Sequence, residues 1–304
     1  MSFTWYEVRY QAMSPLHLGY HKLGMVQRTR PYIPGRALWG AVTNNLSREI
    51  AGSGAPDYQG VGKLVHQGLR FTYFFPWLDA ESGALAPWFA RDAAGYSELS
   101  YGVKKATMEP VLHAREFERL FLYASGQTAV SPDSQTAQDA TLHETEYLAH
   151  QVRYPENRPV RPVYFLGYLG VGTDFPPADQ LWPAIRDLAV GGERSYGCGR
   201  LRLTQYRKLP SGDSFFNWGA GTLLSGGQEV SWCPGWPVPA HVEMTAQLKM
   251  VGDVEPLIGR ETLARGFGQE LSRGIPCWVP GSVSTCAQAF TIGAYGIWRL
   301  EEKA

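Results

Sequence analysis

Residues 191 to 200 read GGERSYGCGR, four glycines in ten positions. No other stretch constrains the fold as much. Glycine loses more freedom on folding than any other residue and is placed where φ must be unusual or where something comes close. Its neighbours narrow the choice. Upstream, ADQLWPAIRDLAV (178–190) spaces Leu181, Ile185 and Leu188 on one side, with Pro183 in the first turn, and predicts a second helix. Downstream, RLRLTQYRKL alternates Leu201 and Leu203 with Arg200, Arg202 and Thr204 and predicts a strand. The order is therefore helix, glycine loop, strand. A P-loop runs from strand to helix and carries a lysine, and a dinucleotide fingerprint also opens a helix, so both are excluded. Two readings stand. In one, amides freed by Gly191, Gly192, Gly197 and Gly199 converge on an anion as a nest. Arg194 and Arg200 then add charge-assisted hydrogen bonds, and Tyr196 offers a ring on which a base can stack. In the other, the segment is a tight turn with solvated arginines.

The rest of the chain supplies the frame. TWYEVRYQA near the start alternates Tyr6, Val8, Tyr10 and Ala12 with Trp5, Glu7, Arg9 and Gln11, the pattern of a strand. PYIPGRALWGAVTNNLSREI follows as a helix opened by Pro34, with Leu38, Val42, Leu46 and Ile50 as its buried stripe. AGSGAPDYQGVG (51–62) reads as loop, LRFTYFFPWLD as an aromatic strand, and 124–142 as a long mobile loop. HETEYLAHQV and PVYFLGYLGV read as strands. Beyond residue 208 the chain is rich in Trp, Gly and Pro, with a short helix expected near 257–267. The 304 residues thus divide into 1–208 and a smaller β-rich unit, 209–304.

Formal charge sums to zero, but it is unevenly placed. Residues 9–48 hold Arg9, Lys22, Arg28, Arg30, Arg36 and Arg48 and no acid, and residues 153–208 hold nine bases against five acids. An acidic middle, 79–146, balances them with eleven acids against five bases. A neutral total of this kind can hide a basic groove. Arginine outnumbers lysine 21 to 7, and its planar fork suits phosphate oxygens. The four cysteines form no C-x-x-C pair, so neither a zinc site nor a disulfide framework is expected, and a reducing cytoplasm is the expected setting. His113, His143 and His150 lack metal-ligand spacing. No cofactor, signal segment or membrane span is expected.

Taken together, SPLHLG after the first strand, YIPGRALWGAV at the first helix and GGERSYGCGRLRL late in the chain resemble the RAMP superfamily of CRISPR-associated proteins. The matching positions are Ile33, Pro34, Gly35, Leu38 and Gly40, then Gly191, Gly192, Arg194, Ser195, Gly197, Gly199 and Arg200. The resemblance covers roughly 3–206 and implies an α+β fold, a ferredoxin-like β-α-β-β-α-β unit with insertions. The residues after the loop resemble the second ferredoxin-like half of subunits that cap the 5′ handle of the guide RNA in type III effectors; the segment before the loop looks as much like a backbone subunit.

The implied function is a non-catalytic, RNA-binding subunit. Its expected contacts are Lys22, Arg28, Arg30, Arg36, Gly191, Gly192, Arg194, Ser195, Tyr196, Gly197, Gly199 and Arg200. The glycine loop and the start of the first helix would form one surface around Arg36, Arg194 and Arg200. Guide RNA and other effector subunits are the expected partners, and the chain alone is not expected to be the functional unit. RNA-cutting backbone subunits carry an acid before IPG, and GYHKLGMVQRTRP here has none. The alternative is a metal-independent endoribonuclease with His17 or His21 as general base. A third reading, a carbohydrate-binding module, would use Trp218, Trp232, Trp236 and Trp278.

Overall fold

The computed structural model describes residues 2–79, 83–91, 97–104, 109–154, 158–210, 212–213, 215–217, 220–224, 227–263 and 266–301. Its centre is an antiparallel sheet with strands in the order Asp187–Ala189, Arg200–Lys208, Phe3–Ala12, Tyr164–Gly172, Leu69–Phe71, and Phe75–Trp77 also paired to Tyr164–Gly172. The alternation read in the first strand sets the two faces of this sheet. Val8, Tyr10 and Ala12 lie in a core with Leu38, Val42 and Leu46 of helix α1 (Gly35–Ala51). The Tyr10 hydroxyl, on the same face, donates to the Ile185 carbonyl at 2.8 Å. Helix α1 starts after Pro34, whose extended ψ cannot continue a helix backwards. Ile50, predicted in its buried stripe, is exposed in the last turn, two residues before the Gly52 cap.

The second face is covered by the residues after 208. Phe3, Trp5, Phe75, Leu166 and Tyr168 share a core with Phe215, Phe216, Trp232, Phe290 and Trp298. The Trp5 indole N–H donates to the Gly227 carbonyl at 2.6 Å, and the Phe216 amide donates to the Tyr168 hydroxyl at 2.6 Å. Each fully buried aromatic of this kind contributes about 1.5–3 kcal/mol. The strands of this region form a seven-stranded sheet: Gly221–Leu223, Glu229–Trp232, Gln288–Ile292, Trp298–Leu300, Val242–Glu243, Ile275–Trp278 and Val254–Leu257. The chain is thus a mixed α/β protein built mostly of strands, with four α-helices among the described residues.

Several local expectations are corrected. Residues 51–62 are not all loop: α2 (Tyr58–Gly68) begins there, capped by the Asp57 carboxylate on the Gly60 amide at 2.8 Å. The predicted helix at 178–190 ends at Ala184 (α4, Ala178–Ala184). Leu188 is buried in an edge strand, Asp187–Ala189, instead. The expected helix near 257–267 is a hairpin of Arg260–Leu263 and Gly266–Leu271. The loop expected from 124 starts four residues later, at 128, because Leu122–Gln127 pairs with His143–Leu148. A further helix, α3 (Ala114–Phe121), closes the side of the molecule that carries this pair.

Candidate nucleic-acid interface

The glycine loop is clamped to the segment that leaves the first strand. The Gly192 amide donates to the His17 carbonyl at 2.8 Å and the Gly199 amide to the Pro15 carbonyl at 2.7 Å. Arg200 donates its amide to the Ser14 hydroxyl at 3.0 Å and its carbonyl accepts from Met13 at 2.8 Å. The approach is too close for a side chain. A Cβ on Gly191 would strike the His17 carbonyl oxygen and one on Gly199 the Val190 carbonyl oxygen, and both residues have positive φ. Three of the four glycine amides are therefore not free to form a nest for an anion. Those of Gly192, Gly197 and Gly199 are spent on the carbonyls of His17, Arg194 and Pro15. The glycines serve close backbone packing, and this corrects the expectation that their N–H groups point at a ligand.

What the clamp does is hold out a short turn. Arg194–Tyr196 form one 3-10 turn between Glu193 and Gly197, both in the left-handed region. Arg194, Ser195 and Tyr196 are exposed, Tyr196 by 76%, and Arg200 at the loop's end is exposed too. Among the described residues, Arg194 and Arg200 make no ion pair. Beside the loop, Tyr147 stacks on the half-exposed Tyr123 with ring centres 5.6 Å apart.

His17 is buried and its Nδ1 lies 2.8 Å from the Glu146 carbonyl, which can only accept, so Nδ1 carries the proton. His21 sits on the exposed strand Gly19–Leu23, edge-on to Tyr20 at 4.2 Å, with Lys22 beside it and exposed.

The remaining predicted cations are already engaged. Glu146 holds the Arg28 Nε at 2.9 Å and accepts from the Thr29 amide. Arg36 donates to the Arg260 carbonyl at 3.0 Å, lies over the Tyr295 ring at 4.7 Å and packs against Gly259. Backbone carbonyls of Tyr295 and Phe71 crowd Gly35, so the start of α1 faces the C-terminal region rather than sharing a surface with the glycine loop. Trp232 is fully buried, and Trp236 and Trp278 pack against the same core; Trp218 lies outside the described residues. The four cysteines are unpaired.

Arg30 anchors a buried network. Its guanidinium meets Glu255 at 2.7 Å and the Tyr32 hydroxyl at 3.1 Å. His241 donates Nε2–H to Glu255 and accepts at Nδ1 from the Tyr73 hydroxyl at 2.7 Å. Burial holds His241 below its usual pKa, against the opposing pull of Glu255. Burial also tends to raise Glu255, but His241 and Arg30 override it and hold its carboxyl at about 2. Both groups bind fewer protons folded than unfolded as pH falls. Stability should therefore be complete above about pH 6.5, fall as the unfolded histidine protonates, and fall again from pH 4.5 toward 2. Thermal melts against pH should show both limbs, and Glu255→Gln should flatten the lower one.

No family model matches the sequence, and no curated protein does. Solved structures do match. A chain in the cryo-EM structure of the type III-B Cmr-beta complex bound to cognate target RNA and AMPPnP superimposes with TM-score 0.56. Identity is 11%, over 91% of this chain and 85% of that one. A chain of the same complex bound to cognate target RNA gives 0.55 at 12% identity, over 91% and 86%. The fold is shared. Similarity this remote in sequence speaks for the arrangement of elements alone. Among the described residues no helix is long and apolar enough to cross a membrane, and no cluster of His, Cys, Asp or Glu converges as a metal site.

Proposed function

We propose that the chain is a non-catalytic RNA-binding subunit of a type III CRISPR effector, gripping guide RNA at the tip of the glycine loop. One observation carries the reading. On a fold shared with a chain of a target-RNA-bound type III-B complex, two arginines unpaired among the described residues and an exposed tyrosine stand on a loop clamped by three backbone–backbone hydrogen bonds and one to the Ser14 hydroxyl. Charged forks on Arg194 and Arg200 suit phosphates, and the Tyr196 ring suits a splayed base. Lys22, on the exposed strand that leaves His17, extends the cationic surface. Residues 1–208 are read as the ferredoxin-like RAMP-type domain with insertions, a reading supported by the antiparallel order Arg200–Lys208, Phe3–Ala12, Tyr164–Gly172, Leu69–Phe71 in the central sheet. Residues 209–304 are read as the β-rich half that backs its sheet, and sister subunits as further partners.

The test is binding of single-stranded RNA to the purified chain across a salt series. Affinity should fall linearly in log–log form, with a slope near −0.7 per phosphate contact. Affinity that ignores salt, or no binding at any salt, refutes the reading.

A further inference from the structure

On the sheet face away from α1, register places Arg202, Gln11, Tyr164 and Trp77 in one row across four strands. Other parts of this face are packed under the C-terminal half, whereas this row is not fully covered: Arg202 is exposed and Gln11, Tyr164 and Trp77 are half-buried. Trp77 and Tyr164 meet edge to face with ring centres 5.9 Å apart. Arg9, on the same face, lies 3.9 Å above the Trp77 ring, and its buried Nε has no hydrogen-bond partner among the described residues. Arg161, three residues before Tyr164, likewise has Nε and Nη2 buried and unpartnered, while its Nη1 pairs with Asp79 at 3.8 Å. The row begins two residues along the strand from Arg200, the end of the glycine loop. Its acids are accounted for: Asp187 is held by Arg202 at 3.0 Å and Glu7 by Arg207 at 3.0 Å.

An indole braced by an arginine, beside a partly exposed tyrosine ring and a glutamine, matches bases with ring faces and polar edges. We infer that this row is a second RNA subsite, a platform about 14 Å long on which bases of the strand leaving the glycine loop stack. The ligand class rests on the RNA-binding reading above. The platform is a separate surface, with the rings on Tyr164 and Trp77 supplying contact and the Arg9 guanidinium fixing the Trp77 ring. Its contribution is largely non-ionic, unlike that of the loop.

The experiment uses the purified full chain and a ten-nucleotide oligouridylate carrying 4-thiouridine. Tyr164→Leu should weaken binding roughly 5- to 100-fold while leaving the salt slope unchanged. Photocrosslinks on the unsubstituted chain should map to peptides containing Tyr164 or Trp77 as well as to the loop. Unchanged affinity in Tyr164→Leu, with crosslinks confined to the loop, overturns the platform and leaves the loop reading standing. No binding by the unsubstituted chain overturns both. If Tyr164→Leu does not fold, the crosslink map decides. Crosslinks to the loop alone refute the platform, and so does a row found covered by an acidic protein segment in the assembled complex.

Discussion

Gly199→Ala should lower stability by about 4 kcal/mol or more, a large share of what holds a domain folded. Two penalties combine. The residue has φ +82, where a side chain costs about 1–2 kcal/mol. Its new Cβ would also overlap the Val190 carbonyl, whose own amide is tied back to the Gly199 carbonyl at 2.9 Å. That contact is backbone against backbone, so no rotamer change relieves it. Gly197 provides the control. Its φ is +85, yet nothing lies within 4 Å of where a Cβ would be, so Gly197→Ala should cost only about 1–2 kcal/mol. Chemical denaturation of the two variants beside the parent chain separates two roles for these glycines. A loop whose glycines bare their amides to a ligand would fold equally well with either alanine and lose only binding. The structure predicts unequal folding. Near-equal stability of the two variants would show that close packing against the Val190 backbone is not what Gly199 is for.

The frame was legible because it is written locally. Alternation of Val8, Tyr10 and Ala12 against Trp5, Glu7 and Arg9 marks a strand with two working faces, and both faces are used. Pro34 and the Leu38, Val42, Leu46 spacing mark α1. Local signals misled where packing overrode them. Leu188 keeps helical spacing with Leu181, but an edge strand claims it by pairing Asp187–Ala189 with Arg200–Arg202. Helix α2 was hidden by glycines at 60 and 62, and only Asp57 as a cap announces it. The position of the site was legible, its workings less so. A sequence shows that Arg28, Arg30 and Arg36 are cations but not that Glu146, Glu255 and the Arg260 carbonyl already hold them from 118, 225 and 224 residues away. The glycine amides pose the same problem, since their acceptors lie some 180 residues earlier, at His17 and Pro15. Long-range pairing decides which polar groups remain for a ligand, and periodicity carries no record of it.

That sorting makes the strongest functional prediction. Arg194→Ala with Arg200→Ala should weaken single-stranded RNA binding by about 10- to 1,000-fold, because charge-assisted hydrogen bonds contribute about 1.5–3 kcal/mol each before partial coupling. The salt slope should shrink by about 1.4, or 0.7 for each phosphate released. Stability should barely change, since neither guanidinium has a partner among the described residues and both are exposed. Arg28→Ala makes the contrasting case. It strips Glu146 of its guanidinium, leaving a mostly buried carboxylate with the Thr29 amide, so it should cost stability while leaving the salt slope nearly intact. Titrations of both variants over one salt series, read with their denaturation midpoints, place each arginine in one class or the other. Should Arg28→Ala flatten the slope and the loop pair leave it untouched, the RNA path runs along the hairpin at 19–29 instead, and the exposed turn at 194–196 loses its assigned role.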